Sequence, residues 1–201
     1  MSPATVGSGE RKDQARNVSE MSETAYQGDY FSIHLDTDGI EYVRAGDEVL
    51  VIPLTATGDV LLTLEPSAAF GKPALILPGG ETEAGEPHAE TANRELQEEI
   101  GYKARQLDYL GELRPYSKYL AVRSFVYLAR DLTPSQLEGD EDYAITVEQA
   151  PLATFERLIA AGRLLDARVI AALYLARSFL NRSDHDSNLA DRPNFHLLHL
   201  S

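Results

Sequence analysis

Residues 80–102 read GETEAGEPHAETANRELQEEIGY, and the fold is decided by how this stretch is read. From about His88 to Ile100 there is no interior glycine or proline, and Ala92, Leu96 and Ile100 recur every four residues. This is the pattern of an amphipathic helix. Gly101 follows where a helix ends on a left-handed residue, and Pro87 is expected at the first helical position, where its missing N–H costs nothing. Gly79, Gly80 and Gly85 precede it, so the unit is a tight loop followed by a helix.

Glu95 and Glu99 are four apart and Glu95 and Glu98 three apart, which places their carboxylates on one helix face with Cβ atoms roughly 5–6 Å from one another. Like charges so placed repel. The face is either a solvated acidic surface or a place where a divalent cation supplies the missing charge, and Mg²⁺ takes a few carboxylates together with substrate phosphate oxygens and water. Arg94 precedes Glu98 by four residues and reaches Glu86 if the loop folds back. Its forked guanidinium suits a carboxylate, so it reads as an orienting partner rather than a substrate ligand.

The spacing G-x5-E-x7-R-E-U-x-E-E-x-G-U is matched everywhere but the last position, where Tyr102 replaces the usual Ile, Leu or Val. The stretch thus resembles the Nudix box, although RELQEE alone would most often be a solvated helix face. The resemblance implies an α/β/α sandwich with a mixed β-sheet, and metal-assisted attack of water on a nucleoside diphosphate linked to another moiety. It makes Glu95, Glu98 and Glu99 ligands of Mg²⁺, with Mn²⁺ as a substitute. The Gly79 carbonyl becomes a further ligand, and Gly80, Glu86 and Arg94 brace the loop.

Further resemblance, over about Val49 to Leu180, is to the ADP-ribose pyrophosphatase and ADP-compounds hydrolase branch. ANRELQEEIGY, ARDLTPSQLEGDED and LIAAGRLLDARVIAALYLARSFL carry it. It implies cleavage of ADP-ribose or a related ADP compound to AMP and a sugar phosphate, and a homodimer in which an N-terminal hairpin contributes. It also implies a general base on the acidic loop after the sheet, with Glu141 the first candidate, Glu138 the second, and Glu98 able to serve instead. Two departures bear on the substrate pocket: Thr63-Leu64-Glu65-Pro66 stands where the branch carries an arginine-rich segment, and Ile76 where it carries glutamate. The alternatives are another nucleotide sugar, a dinucleoside polyphosphate, a damaged nucleotide, or a non-catalytic nucleotide-binding module. Intact box glutamates argue against the last, which would be free to lose them.

Composition narrows the setting. At 201 residues the chain is one domain long. A formal charge of −14 argues against nonspecific nucleic-acid binding or an anionic membrane surface, whereas a diphosphate can still bind through metal ions. There is no cysteine, which removes disulfides, thiolate catalysis and cysteine-based zinc sites. No apolar run approaches a membrane span and no signal-peptide core is apparent, so a cytoplasmic protein is expected.

Residues 1–27 are polar and aperiodic and are expected to be a mobile or loosely docked extension, 28–181 the domain, and 182–201 a tail. Residues 29–44 alternate around Asp38-Gly39 as a hairpin does. Residues 47–54 and 60–64 read as two strands joined by a tight turn, and Ala74 to Leu77, Leu107 to Leu113 and Val122 to Ala129 as further strands. Thr133 to Thr146 is a polar, acidic loop. Thr154 is expected to cap one helix, and Asp166 a second with the stripe Val169, Leu173, Ala176 and Leu180. Tyr30, Phe31, Tyr116, Tyr119 and Phe125 read as core aromatics before adenine-stacking ones. The histidines lack metal-ligand spacing.

Overall fold

The computed structural model describes residues 23–139 and 143–190, with side chains to residue 182. Glu141 and the late apolar patch at 195–200 therefore lie outside the described residues. Strands run β1 Glu23–Gln27, β2 Phe31–Leu35, β3 Glu41–Ala45, β4 Glu48–Pro53, β5 Asp59–Glu65 and β6 Ala74–Ile76. Helix α1 (His88–Glu99) is followed by β7 Tyr102–Leu113, β8 Leu120–Ala121, β9 Ser124–Pro134 and β10 Thr146–Pro151. A 3₁₀ turn at Leu152–Thr154, α2 (Glu156–Ala160) and α3 (Ala167–Ala190) complete the described chain.

Strand β4 explains the layering. Its run Val49-Leu50-Val51-Ile52 is buried throughout, so successive side chains must enter different cores. Val49 and Val51 pack with Leu61, Ala92, Leu96 and Ile100 beneath α1. Leu50 and Ile52 pack with Val60, Leu62, Phe155, Val169 and Leu173 on the α2 and α3 side. The result is an α/β/α sandwich of the expected class. Its strands divide into three hydrogen-bonded sheets, ordered β4-β9-β7, β10-β5-β6 and β1-β2-β3-β8. The first is mixed, since β4 runs parallel to β9 and β7 antiparallel to it.

The expected hairpin is present, with β2 and β3 paired from Phe31↔Ala45 to Leu35↔Glu41 and Gly39 in the left-handed region. The extension boundary differs: residues 23–27 form β1 on β2, because backbone pairing makes a strand of a segment without apolar alternation. β4 and β5 do not pair as a hairpin beyond the bridge Leu54↔Val60. β5 instead lies between β10 and β6. Thr154 ends the 3₁₀ turn and caps nothing; Phe155 occupies the N-cap of α2, with no side-chain cap. Asp166 does accept from the Arg168 and Val169 N–H groups at 2.8 and 3.3 Å. Among the described residues no helix is long and apolar enough to cross a membrane.

Candidate active site

The loop before α1 is seated on β4 by backbone bonds. Val51 N–H donates to the Pro78 carbonyl at 2.8 Å, Val49 N–H to Gly80 at 2.9 Å, and Thr82 N–H to Asp47 at 2.9 Å. Alternate residues, Asp47 just before β4 and Val49 and Val51 within it, thus hold the turn against the sheet. The approach is close enough to exclude side chains: a Cβ at Gly79 would overlap the Val49 carbonyl, and one at Gly80 the Glu95 carboxylate. Pro87 takes the N-cap, one place before the expected position, with ψ 133°. Its carbonyl accepts from the N–H groups of Glu90 and Thr91 at 2.8 and 3.1 Å. At the other end Gly101 has φ +72°, as a left-handed helix stop requires.

α1 brings the box side chains together. Arg94 lies 2.8 Å from Glu98, 3.0 Å from Glu95 and 3.3 Å from Glu86, and donates to the Glu81 carbonyl at 3.4 Å. One guanidinium therefore ties the early loop to two carboxylates of the helix. Burial pushes the Glu86 carboxyl up, but hydrogen bonds from Arg94 and Thr91 and the Arg94 charge outweigh it and hold the group below its ordinary value. Burial likewise disfavours the charged Arg94, yet its carboxylate partners raise it well above its ordinary value. The Thr91 hydroxyl donates to Glu86 at 2.9 Å, a second brace that the sequence pattern does not reveal. Glu99 accepts from Gly79 N–H at 3.3 and 3.4 Å, long for hydrogen bonds, so Glu99 and the loop are neighbours.

Glu95 is 8% exposed, so its charge is held largely out of water beside Arg94. Among the described residues no three His, Asp or Glu side chains gather into a metal cage. The donor set still suits a hard cation, because Mg²⁺ binds through one or two carboxylates plus substrate phosphates and keeps waters rather than occupying an all-protein cage. Glu95, Glu98 and Glu99 offer oxygen donors of that kind beside the Gly79 loop.

The segment after β9 returns to the end of α1. Ser135 N–H donates to the Gly101 carbonyl at 2.9 Å and Leu137 N–H to Gln97 at 3.2 Å, while the Gln136 amide donates to the Glu98 carbonyl at 3.1 Å. Gly139 lies beside the Glu98 Cβ, and Glu138 next to it is exposed. On β5, Glu65 is buried at 8% exposure. It accepts from the Tyr143 hydroxyl at 2.9 Å, and its Oε1 has no partner among the described residues. Sequence reading passed over this pair. Nothing in the residues around either partner signals it, because β5 (DVLLTLE) already carries Asp59 and Thr63 beside its apolar residues.

Of the five aromatics read as core, Phe125 packs against it and the other four are exposed. Tyr30, Phe31 and Tyr116 are 84%, 52% and 60% exposed, because they sit in the bend before β2, on β2 itself and in the turn before β8. Phe125 is partly buried and stacks on His88 with centroids 3.7 Å apart. His34 is buried on β2, bonded to the Ser32 hydroxyl at 2.8 Å.

The NUDIX domain family matches residues 45–173. The chain is 31% identical to the ADP compounds hydrolase NudE of Escherichia coli (strain K12) over 134 residues, 67% of this chain and 72% of that protein. It is 27% identical to an ADP-ribose pyrophosphatase of Bacillus subtilis (strain 168) over 135 residues, 66% of this chain and 73% of that protein. A crystal structure of an ADP compounds hydrolase is similar with a TM-score of 0.70 and 27% identity, covering 81% of this chain and 92% of that one.

Proposed function

The chain belongs to the NUDIX family, and from that premise we propose that it hydrolyses the diphosphate linkage of ADP-ribose or a related ADP compound with the aid of Mg²⁺. The observation that carries this reading is the single face of α1 on which Arg94 holds Glu95 and Glu98, with Glu99 beside the Gly79 loop. The relatives' names favour an ADP compound over the other substrates of the class.

A bound divalent ion would neutralise the diphosphate and acidify a water molecule. The protein's part is positional. Glu95, Glu98 and Glu99 would hold the ion, together with the Gly79 carbonyl. Gly80 leaves room for the Glu95 carboxylate, and Glu86 fixes Arg94, which keeps Glu95 and Glu98 in place between turnovers. A carboxylate would take the proton from the attacking water, with Glu141 the first candidate and Glu138 and Glu98 after it. The P–O bond of the anhydride then breaks, giving AMP and ribose 5-phosphate from ADP-ribose.

The test is phosphate-linked hydrolysis with Mg²⁺ across ADP-ribose, NADH, diadenosine polyphosphates and GDP-mannose, alongside Glu98→Gln and Glu99→Gln. Preference for ADP-ribose, lost in both variants, is the expected result. Turnover of a different compound would replace the substrate, and equal inactivity of all three proteins on every compound would sink the hydrolase reading.

The assembly is read as a homodimer. β1 is exposed along its whole length, and Tyr26, Tyr30, Phe31 and Ile40 expose apolar surface on and beside the same outer sheet. Sedimentation equilibrium should give twice the chain mass of 22.1 kDa; the single-chain mass would refute it.

A further inference from the structure

We propose that Glu65 is a positioning residue: by accepting the Tyr143 hydrogen bond, it secures from β5 the segment that covers the C-terminal turn of α1. The last carbonyls of a helix have no partner within the helix. Here the Gln97 and Glu98 carbonyls receive the Leu137 N–H and the Gln136 amide, and Ser135 Oγ donates to the Gln97 side chain at 2.7 Å. That turn carries Glu98 and Glu99. Residues 135–139 thus hold the carboxylates' backbone from outside the helix.

Tyr143 is four residues beyond Gly139, and its hydroxyl ends 2.9 Å from Glu65 Oε2. The bond therefore anchors the chain, four residues past Gly139, to a second, separate strand. A carboxylate at 8% exposure with one oxygen unpartnered among the described residues is costly, since buried polar groups are ordinarily paired. Leucine would fill such a place in a strand better. The Tyr143 bond is what a glutamate supplies there and leucine cannot.

The kinetic part of the test rests on the hydrolase reading, whereas the structural part does not. In Tyr143→Phe and Glu65→Ala, kcat for ADP-ribose should fall at least about tenfold, because small displacements of catalytic groups cost rate steeply. KM should stay within about threefold, the pattern of an interaction that matters to the chemical step and not to binding. Glu65→Gln should retain kcat within about threefold, since its amide oxygen still accepts from Tyr143. Independently of turnover, hydrogen exchange at the Ser135 and Leu137 amides should quicken in Tyr143→Phe and Glu65→Ala and stay unchanged in Glu65→Gln.

Unchanged exchange in Tyr143→Phe would overturn the proposal, as would faster exchange with undiminished kcat. A Glu65→Gln variant as impaired as Glu65→Ala would also overturn it, by showing that charge and not hydrogen bonding is needed. If the wild type turns over no ADP compound, the functional reading fails, and the exchange rates alone decide whether the tie exists.

Discussion

Arg94 meets three carboxylates and a carbonyl with one guanidinium, a geometry that a lysine ammonium cannot reproduce because it lacks the planar fork. Around it, two adjacent glycines have different duties. At Gly80 the obstacle to a side chain is the Glu95 carboxylate, the movable end of a side chain; at Gly79 it is the Val49 carbonyl, which is backbone. Gly80→Ala should therefore fold normally and lose at least about tenfold in metal-dependent kcat as Glu95 is turned away. Gly79→Ala should unfold more easily in urea, by about 1–3 kcal/mol, as overpacking against backbone does. Wild-type turnover in Gly80→Ala would show that the Glu95 placement is not needed.

At the scale of elements, the junction of α3 with β4 carries a second ion-pair chain. Arg168 spans Asp166 at 2.8 Å and Glu48 at 2.7 Å, and Ser124 of β9 donates to Glu48. Burial pushes the Asp166 carboxyl up, but hydrogen bonds and charge from Arg168, with two backbone N–H groups, bring it below its ordinary value of 3.8. A depressed carboxyl contributes stability that is complete above the unfolded value and lost as pH falls through the folded one. Asp166→Asn keeps a capping oxygen but loses the charge. It should be less stable by about 1 kcal/mol at pH 7, with the deficit steady down to roughly pH 5 and shrinking below the ordinary carboxylate value. A deficit unchanged down to pH 2 would contradict the assigned shift. These elements also mark what the sequence made legible. The stripe of α1, the Asp38-Gly39 hairpin and the Asp166 cap were readable because periodicity and capping are local. β10, TVEQAP, was not: it is largely exposed and owes its strand form to β5. Nor was the partner of β4, because its apolar run states that both faces are buried without saying that β9, 76 residues on, lies alongside. The Glu65–Tyr143 bond likewise joins residues 78 positions apart, with no pattern in either neighbourhood.

The whole molecule carries a formal charge of −14, and its proposed substrate is also an anion, so association cannot rest on the protein's net field. The local arrangement has to reverse it. Glu95, Glu98 and Glu99 concentrate negative charge on one face with Arg94 as the cation in contact with two of them, and a divalent ion would relieve the remaining repulsion. A ligand that binds only the folded state stabilises it by mass action, by about 2.7 kcal/mol at a hundredfold excess over its Kd. Mg²⁺ should therefore raise Tm progressively with concentration in the absence of any nucleotide, and EDTA should reverse the rise. The increase should be smaller in Glu95→Gln, Glu98→Gln and Glu99→Gln, but intact in Glu148→Gln, a β10 residue whose carboxylate is already paired with Arg163. An equal rise in all four variants would mean that Mg²⁺ acts by screening the general charge. No rise in the wild type would leave the carboxylate face dependent on substrate phosphates to complete the ion's coordination, and adding the product AMP with Mg²⁺ should then restore the shift in the wild type and not in Glu99→Gln.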